Sequence, residues 1–281
     1  MSMPFYMSPE QTMRDKADYA RKGVARGRSS VALQYAGGIL MVTPNASRVL
    51  HKISEIYDRI AFAAVGRYNE YEALRKAGVT YADLTGYQFD RGDVTARGLA
   101  NWYAQALGAN ASEPAGKPYE VELVVAEVGV KPDGDQIYRI SWDGLVSDEP
   151  GFVAFGGQAD QVAAALKERF SDGMSLTEAL GAALAALAAP AAASGSAPSN
   201  GSQPELTADK LEVAILDRAR PHRTFRRLHG PRLEELITES RAAGATETAE
   251  SAESAEAEAP QEPSSDDPPT GPSSAGDGIP K

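Results

Sequence analysis

Apolar side chains recur along this chain at two periods, and the period changes from segment to segment. Between Ser8 and about Ala25, Met13, Ala17, Ala20 and Val24 are spaced by four, three and four, which is one face of a helix. Ser8 suits its N-cap, Pro9 its first turn and Glu10 the positive end of its dipole. An amphipathic helix of this kind needs a partner surface, either in its own chain or on a neighbour. The period then falls to two. Val31, Leu33 and Tyr35 alternate with Ala32 and Gln34, Gly37-Gly38 makes a turn, and Ile39 to Val42 returns, predicting a hairpin. After a Pro-Asn turn at 44–45, Lys52 to Arg59 and Ile60 to Val65 predict two short strands, the second buried.

Helical periodicity resumes from Tyr68 to Ala77, with Gly78 as the expected C-terminal cap, and again from Asp93 to Leu107, before Gly108. Val121, Leu123 and Val125 open a second strand region, followed by Gln136 to Trp142, an Asp143-Gly144 turn, Leu145-Val146, and Phe152 to Phe155 before Gly156-Gly157. Two helices are expected next: Ala159 to Phe170, and Leu176 to Leu187 capped by Ser175. A stretch from about Ala188 to Gln203, rich in Ala, Ser, Gly and Pro, reads as a flexible loop of about residues 188–206 inside one domain. Glu212 to Leu216 is a further strand and Pro231 to Arg241 a last helix. Segregated strands and helices favour two sheets with helical layers outside over an alternating parallel fold.

Charge divides the chain sharply. The whole carries −11, yet residues 244–281 hold nine carboxylates and one lysine, a charge of −8, with no aromatic residue and Ile279 as the one large aliphatic. Such a segment cannot bury enough apolar surface to offset the entropy of ordering it, so a disordered acidic tail is expected over 244–281, following a domain over 9–243. The acidic balance argues against nucleic-acid binding. No segment has the length and apolarity of a membrane span, nor the pattern of a signal peptide. With no cysteine, a cytoplasmic protein is expected, without disulfides, a thiol nucleophile or a Cys-ligated metal.

Motifs for chemistry are sparse. His51, His222 and His229 lack metal-site spacing, and no phosphate-binding glycine loop or nucleophile elbow occurs. No cofactor and no metal are expected. The clusters Glu55/Asp58/Arg59 and Asp90/Arg91/Asp93 read as turn and surface pairs. The basic cluster Arg218, Arg220, Arg223, Arg226 and Arg227 reads as a solvated strand face or a source of intersubunit ion pairs, with an anionic partner as the alternative.

The order of short motifs resembles the α-type subunits of the 20S proteasome, in their actinobacterial form. The residues that carry the resemblance are Ser8-Pro9-Glu10-Gln11 with Arg21-Lys22-Gly23, Val31-Ala32-Leu33, and Tyr35-Ala36-Gly37-Gly38. They continue with Lys52-Ile53-Ser54-Glu55-Ile56-Tyr57-Asp58-Arg59, Asp93-Val94-Thr95 and Lys117-Pro118-Tyr119-Glu120-Val121-Glu122-Leu123. Tyr138-Arg139-Ile140, Asp148-Glu149-Pro150 and Gly156-Gly157 complete the series. The resemblance implies an α+β fold, a four-layer αββα sandwich of the N-terminal-nucleophile hydrolase type. It implies a non-catalytic subunit in a seven-membered ring of identical α subunits, stacked on β subunits that carry threonine-type proteolysis. It further implies a gating segment over residues 1–8 (Met3, Pro4, Phe5, Tyr6, Met7 and Ser8) and a docking lysine, Lys52, for the C-terminal tails of a ring-shaped ATPase. Its substrates would be unfolded proteins tagged by a small ubiquitin-like protein.

An N-terminal nucleophile needs a free α-amino group as its base, and the helix ahead of the first strand denies one. Arg28 aligns with the threonine of the catalytic relatives. Two rival readings remain: a self-processed hydrolase using Ser29 as nucleophile, and an adaptor that binds partners through its acidic tail and basic cluster.

Overall fold

The computed structural model describes residues 8–193 and 206–243. The gating residues Met3 to Met7, the acidic tail and residues 194–205 lie outside the described residues. In chain order the elements are α1 (Pro9–Ala25), β1 (Ser30–Tyr35), β2 (Gly38–Pro44), β3 (Ile53–Tyr57), β4 (Ile60–Gly66), α2 (Tyr68–Gln88), α3 (Ala96–Ser112) and β5 (Val121–Glu127). They continue with β6 (Gln136–Ile140), β7 (Val146–Asp148), β8 (Phe152–Phe155), α4 (Ala159–Lys167), α5 (Leu176–Ala193), β9 (Leu211–Asp217) and β10 (Phe225–Leu228). A helix over residues 231–243, α6, ends the described chain.

The strands form two antiparallel five-stranded sheets, ordered β10-β9-β2-β1-β8 and β3-β4-β5-β6-β7. Period-two alternation explains the layering. On β2, Leu40 and Val42 join a core with α4, α5 and α6 residues such as Leu166, Leu180 and Leu236. Its Ile39 and Met41 face the other way, into a core between the sheets with Ala61, Ala63, Val124 and Phe155. Phe62, Leu123 and Val125 of the second sheet pack outward against Leu74, Leu99, Tyr103 and Leu107 of α2 and α3. β2 and β4 are therefore apolar on both faces, and the four layers stack helix, sheet, sheet, helix, as expected.

Several expected boundaries shift for identifiable reasons. Gly78 does not end a helix. It sits buried inside α2, where an added Cβ would lie 1.9 Å from Tyr103 Oη, and Tyr103 Oη donates to Leu74 O at 3.1 Å. The glycine admits α3's tyrosine, and α2 runs on to Gln88 because Tyr81 stacks on Trp102 and Ala82 is buried. α3 starts at Ala96 rather than Asp93: Asp90 and Asp93 cap their own short turn, and Thr95 Oγ1 accepts from Gly98 N at 3.1 Å. Gly108 lies within α3, and α4 stops at Lys167. The expected loop from Ala188 is helical as far as Ala193, because α5 continues through a run of alanines and takes in Pro190. Strand β10 carries Arg226 and Arg227 of the basic cluster, which was expected as a strand face.

Candidate functional site

Lys52 stands where the chain crosses from one sheet to the other. β2 ends at Pro44, and the crossing turn is held locally: Ser47 N donates to Asn45 Oδ1 at 3.0 Å and Leu50 N to Ser47 Oγ at 3.0 Å. Lys52 then pairs its carbonyl with Ala64 N at 3.0 Å as β3 begins. Its side chain turns back to the first sheet, where the ammonium donates to Pro44 O at 3.3 Å and to Thr43 Oγ1 at 3.5 Å. Thr43 Oγ1 also accepts from Ser30 Oγ at 2.7 Å. The half-buried lysine has no carboxylate within ion-pair distance among the described residues. Burial holds its pKa below the usual lysine value. Glu212 acts against that and Arg28 adds to it.

The carboxylate behind Lys52 belongs to Glu212 on β9, whose side chain is 7% exposed. Glu212 Oε2 accepts from Lys52 N at 2.9 Å and from Asn45 Nδ2 at 2.8 Å. Oε1 accepts from Ile53 N at 3.2 Å and from the Arg227 guanidinium of β10. His51 Nδ1 lies 3.3 Å from the same oxygen. In the sequence, Glu212 reads only as the start of a strand. The available signal was its period: Glu212 shares a face with Ala214 and Leu216, which point into the core between the sheets. A carboxylate on that face must meet partners.

Ser29 is beside this site and is engaged. It is 8% exposed, and its Oγ accepts from Gln158 N at 3.1 Å. The chain ahead of it is docked. Lys16 on α1 is 8% exposed and donates from Nζ to Ala111 O at 3.0 Å and to Glu113 O, closing the carbonyl end of α3. Ala20 packs with Ala111 and Trp142, and Gly157 N donates to Gly27 O at 3.2 Å. The expected apolar stripe of α1 is only partly internal: Ala20 is buried and Ala17 and Val24 partly so, whereas Met13 is 45% exposed. Ser8 caps α1, its Oγ accepting from Gln11 N at 3.2 Å, at the end that leads to the expected gating segment.

The other charged clusters close on themselves. Arg218 pairs with Asp135 at 2.7 Å, Arg223 with Glu55 at 2.6 Å and Arg226 with Asp217 at 3.4 Å. Arg91 pairs with Asp58 at 2.7 Å. The basic cluster thus ties β9 and β10 to neighbouring elements, and the pairs are within the chain. Among the described residues no group of His, Cys, Asp and Glu could hold a metal ion, and no helix is long and apolar enough to cross a membrane.

Comparison with known proteins agrees with this architecture. The family model described as "Proteasome subunit" matches residues 24–202. A relative named "Proteasome subunit alpha" from Thermomonospora curvata is 64% identical over 85% of this chain and 99% of its own length. Relatives of the same name from Streptosporangium roseum and Kineococcus radiotolerans are each 63% identical, over 88% and 84% of this chain and 91% and 98% of theirs.

Proposed function

The chain belongs to the proteasome subunit family, as an α subunit of the core particle, and from that premise we propose that it is the gate and activator-docking subunit of the particle. Its domain over residues 9–243 forms a seven-membered ring of identical copies stacked on β subunits, which carry the threonine-type proteolysis. The chain itself cleaves nothing. Ser29 follows a docked N-terminal helix, so it has no free α-amino group, and its buried hydroxyl is engaged, which supports that reading over a self-processed hydrolase. Residues 1–8, including Met3, Pro4, Phe5, Tyr6, Met7 and Ser8, converge from the copies over the pore, and residues 244–281 form an appended acidic tail. The particle works in the cytoplasm on unfolded proteins tagged by a small ubiquitin-like protein.

One observation carries the docking part: Lys52 is a half-buried cation at a sheet crossing with no carboxylate partner among the described residues. A compact ammonium in that setting suits the terminal carboxylate of an ATPase tail. Lys52→Ala should assemble into rings with β subunits, as read by sedimentation, and lose ATPase-stimulated degradation. Undiminished stimulation would refute the docking role. Deleting residues 2–7 should raise peptide hydrolysis by the assembled particle several-fold, on the order of removing a steric lid. An unchanged rate would mean that this segment does not close the pore.

A further inference from the structure

We propose that Glu212 is a positioning residue for the Lys52 site, fixing the start of β3 from the opposite sheet and setting the negative charge that faces the ammonium, so that the site accepts a tail ending in a free carboxylate. The proposal rests on the reading of Lys52 as the docking cation.

The geometry separates two jobs. The first is placement. Both backbone N–H groups at the entry to β3, those of Lys52 and Ile53, end on the Glu212 carboxylate at 2.9 and 3.2 Å. Asn45 Nδ2 holds the same carboxylate at 2.8 Å and also donates to Leu50 O at 2.8 Å, so both ends of the crossing turn refer to one acid. A lysine at the mouth of a two-sheet sandwich would otherwise follow the relative motion of the sheets. With Glu212 in place, its Cα is tied to β9 as well as to β4.

The second job is charge. The groups facing the Lys52 ammonium are Arg28 from the segment after α1, Glu212 from β9 and, across that carboxylate, Arg227 from β10, with His51 next along the chain. Burial and Arg28 both disfavour the charged lysine, and Glu212 opposes them. Glu212 does so without forming an ion pair with Lys52, because its oxygens are taken by N–H groups, Asn45 and Arg227. Glu212 thus favours the charged ammonium while leaving free the N–H that Pro44 O and Thr43 Oγ1 do not take, for an incoming carboxylate. A carboxylate in direct contact would compete with the tail, and none at all would leave the lysine easier to neutralise.

The test uses the particle assembled with β subunits and a synthetic peptide of the ATPase's last ten residues, as free acid and as C-terminal amide. The readout is the peptide concentration giving half-maximal stimulation of fluorogenic-peptide hydrolysis. It is followed from about pH 8 upward, above the range in which imidazoles ordinarily titrate. Glu212→Gln keeps the shape and removes the charge. It should bring the loss of stimulation with rising pH about one unit lower, so that the free acid is weakened about tenfold at the high-pH end and little near pH 8. Arg28→Gln, at an exposed position, should move that loss to higher pH. The amide should be weak with every variant. If Lys52→Ala still responds to the free acid as the unmodified protein does, the docking reading itself fails. If Lys52→Ala is silent while Glu212→Gln has an unmoved pH limb, or a loss of equal size at every pH, Glu212 is only a structural brace and the inference is overturned. Should Glu212→Gln not assemble, an unmoved limb in Arg28→Gln overturns it equally.

Discussion

Two buried carboxylates cross-link the sheets at opposite ends of β9, and their arrangements differ in one respect. At the far end, Asp135 has a side chain that is 0% exposed and takes both arms of Arg218, at 2.7 and 2.8 Å, together with Gly129 N at 2.8 Å. Arg218 also donates to Gly129 O at 2.8 Å, and its backbone N–H to Gly37 O at 2.8 Å. That end is a closed pair: the two terminal nitrogens of Arg218 match both oxygens of Asp135 and staple two turns, and Arg218 Nε alone is buried without a partner among the described residues. At the near end, about 20 Å along the strand, Glu212 engages backbone N–H groups, Asn45 and Arg227, and Lys52 has no carboxylate partner among the described residues. The same ingredients give a lock at one end and an open cation at the other. Lys16 sharpens the contrast: it is 8% exposed and closes the carbonyl end of α3, whereas Lys52, with Pro44 O and Thr43 Oγ1 as its acceptors, is only half-buried and so can be reached by a partner.

The largest effect is expected at the lock. Asp135→Ala leaves Arg218 buried beside a turn with no counter-charge and removes the acceptor of Gly129 N. Breaking a buried pair from one side costs about 3–5 kcal/mol, to be read from the denaturant midpoint of the chain. A loss below about 1 kcal/mol would mean that the far end is as open as the near one, and the comparison would fail.

A smaller effect tests the same end through pH. Tyr35 closes the β1–β2 hairpin next to this pair, and burial, reinforced by Asp217, pushes its hydroxyl up to about 12 from 10.0, against the pull of Arg218 and Arg226. An acid raised on folding stabilises the protein fully below its unfolded value, and that contribution is lost as pH rises through the folded one. Between pH 10 and about 12 the protein should therefore lose about 1.4 kcal/mol of stability per pH unit relative to Tyr35→Phe. Other raised tyrosines are common to both proteins and cancel. Parallel stability curves would show that Tyr35 is wet and that the far end is looser than its geometry.

Two sheets with helices outside were legible from the segregation of strand and helix periods, and the four-layer stacking followed only from the resemblance. Boundaries failed where a distant side chain decided them. Gly78 carries the mark of a helix cap, and only the approach of Tyr103 Oη reveals why it is a glycine. The alanine run after Leu187 is loop-like in composition yet helical as far as Ala193, since alanine favours helix wherever a core can hold it. At the candidate site, Lys52 stands out only through the resemblance, because a lysine at a strand start carries no periodic signal. Arg28 and Ser29 were noticed for their place before β1. Glu212 was overlooked because its partners come from residues 45, 52, 53 and 227, a convergence that exists only in three dimensions. The basic cluster was half legible: its charges were evident, but not the acids that close it.

The smallest expected effect completes the contrast. Lys52→Met keeps the length of the side chain and removes the ammonium. Thr43 Oγ1 still accepts from Ser30 Oγ, and Glu212 keeps its N–H groups, Asn45 and Arg227, so little structure depends on the charge. Stability should change by less than about 1 kcal/mol, in either direction. The pH dependence gives the sign. A lysine whose pKa is lowered on folding costs stability while it is charged, and the cost is relieved as pH rises from the lowered value toward the ordinary 10.5. The unmodified protein should therefore gain on Lys52→Met over that window. A constant difference would mean that burial does not burden the ammonium. A loss of several kcal/mol at neutral pH would mean that Lys52 is a structural brace like Arg218, and the near end of β9 would have to be redrawn as a second lock.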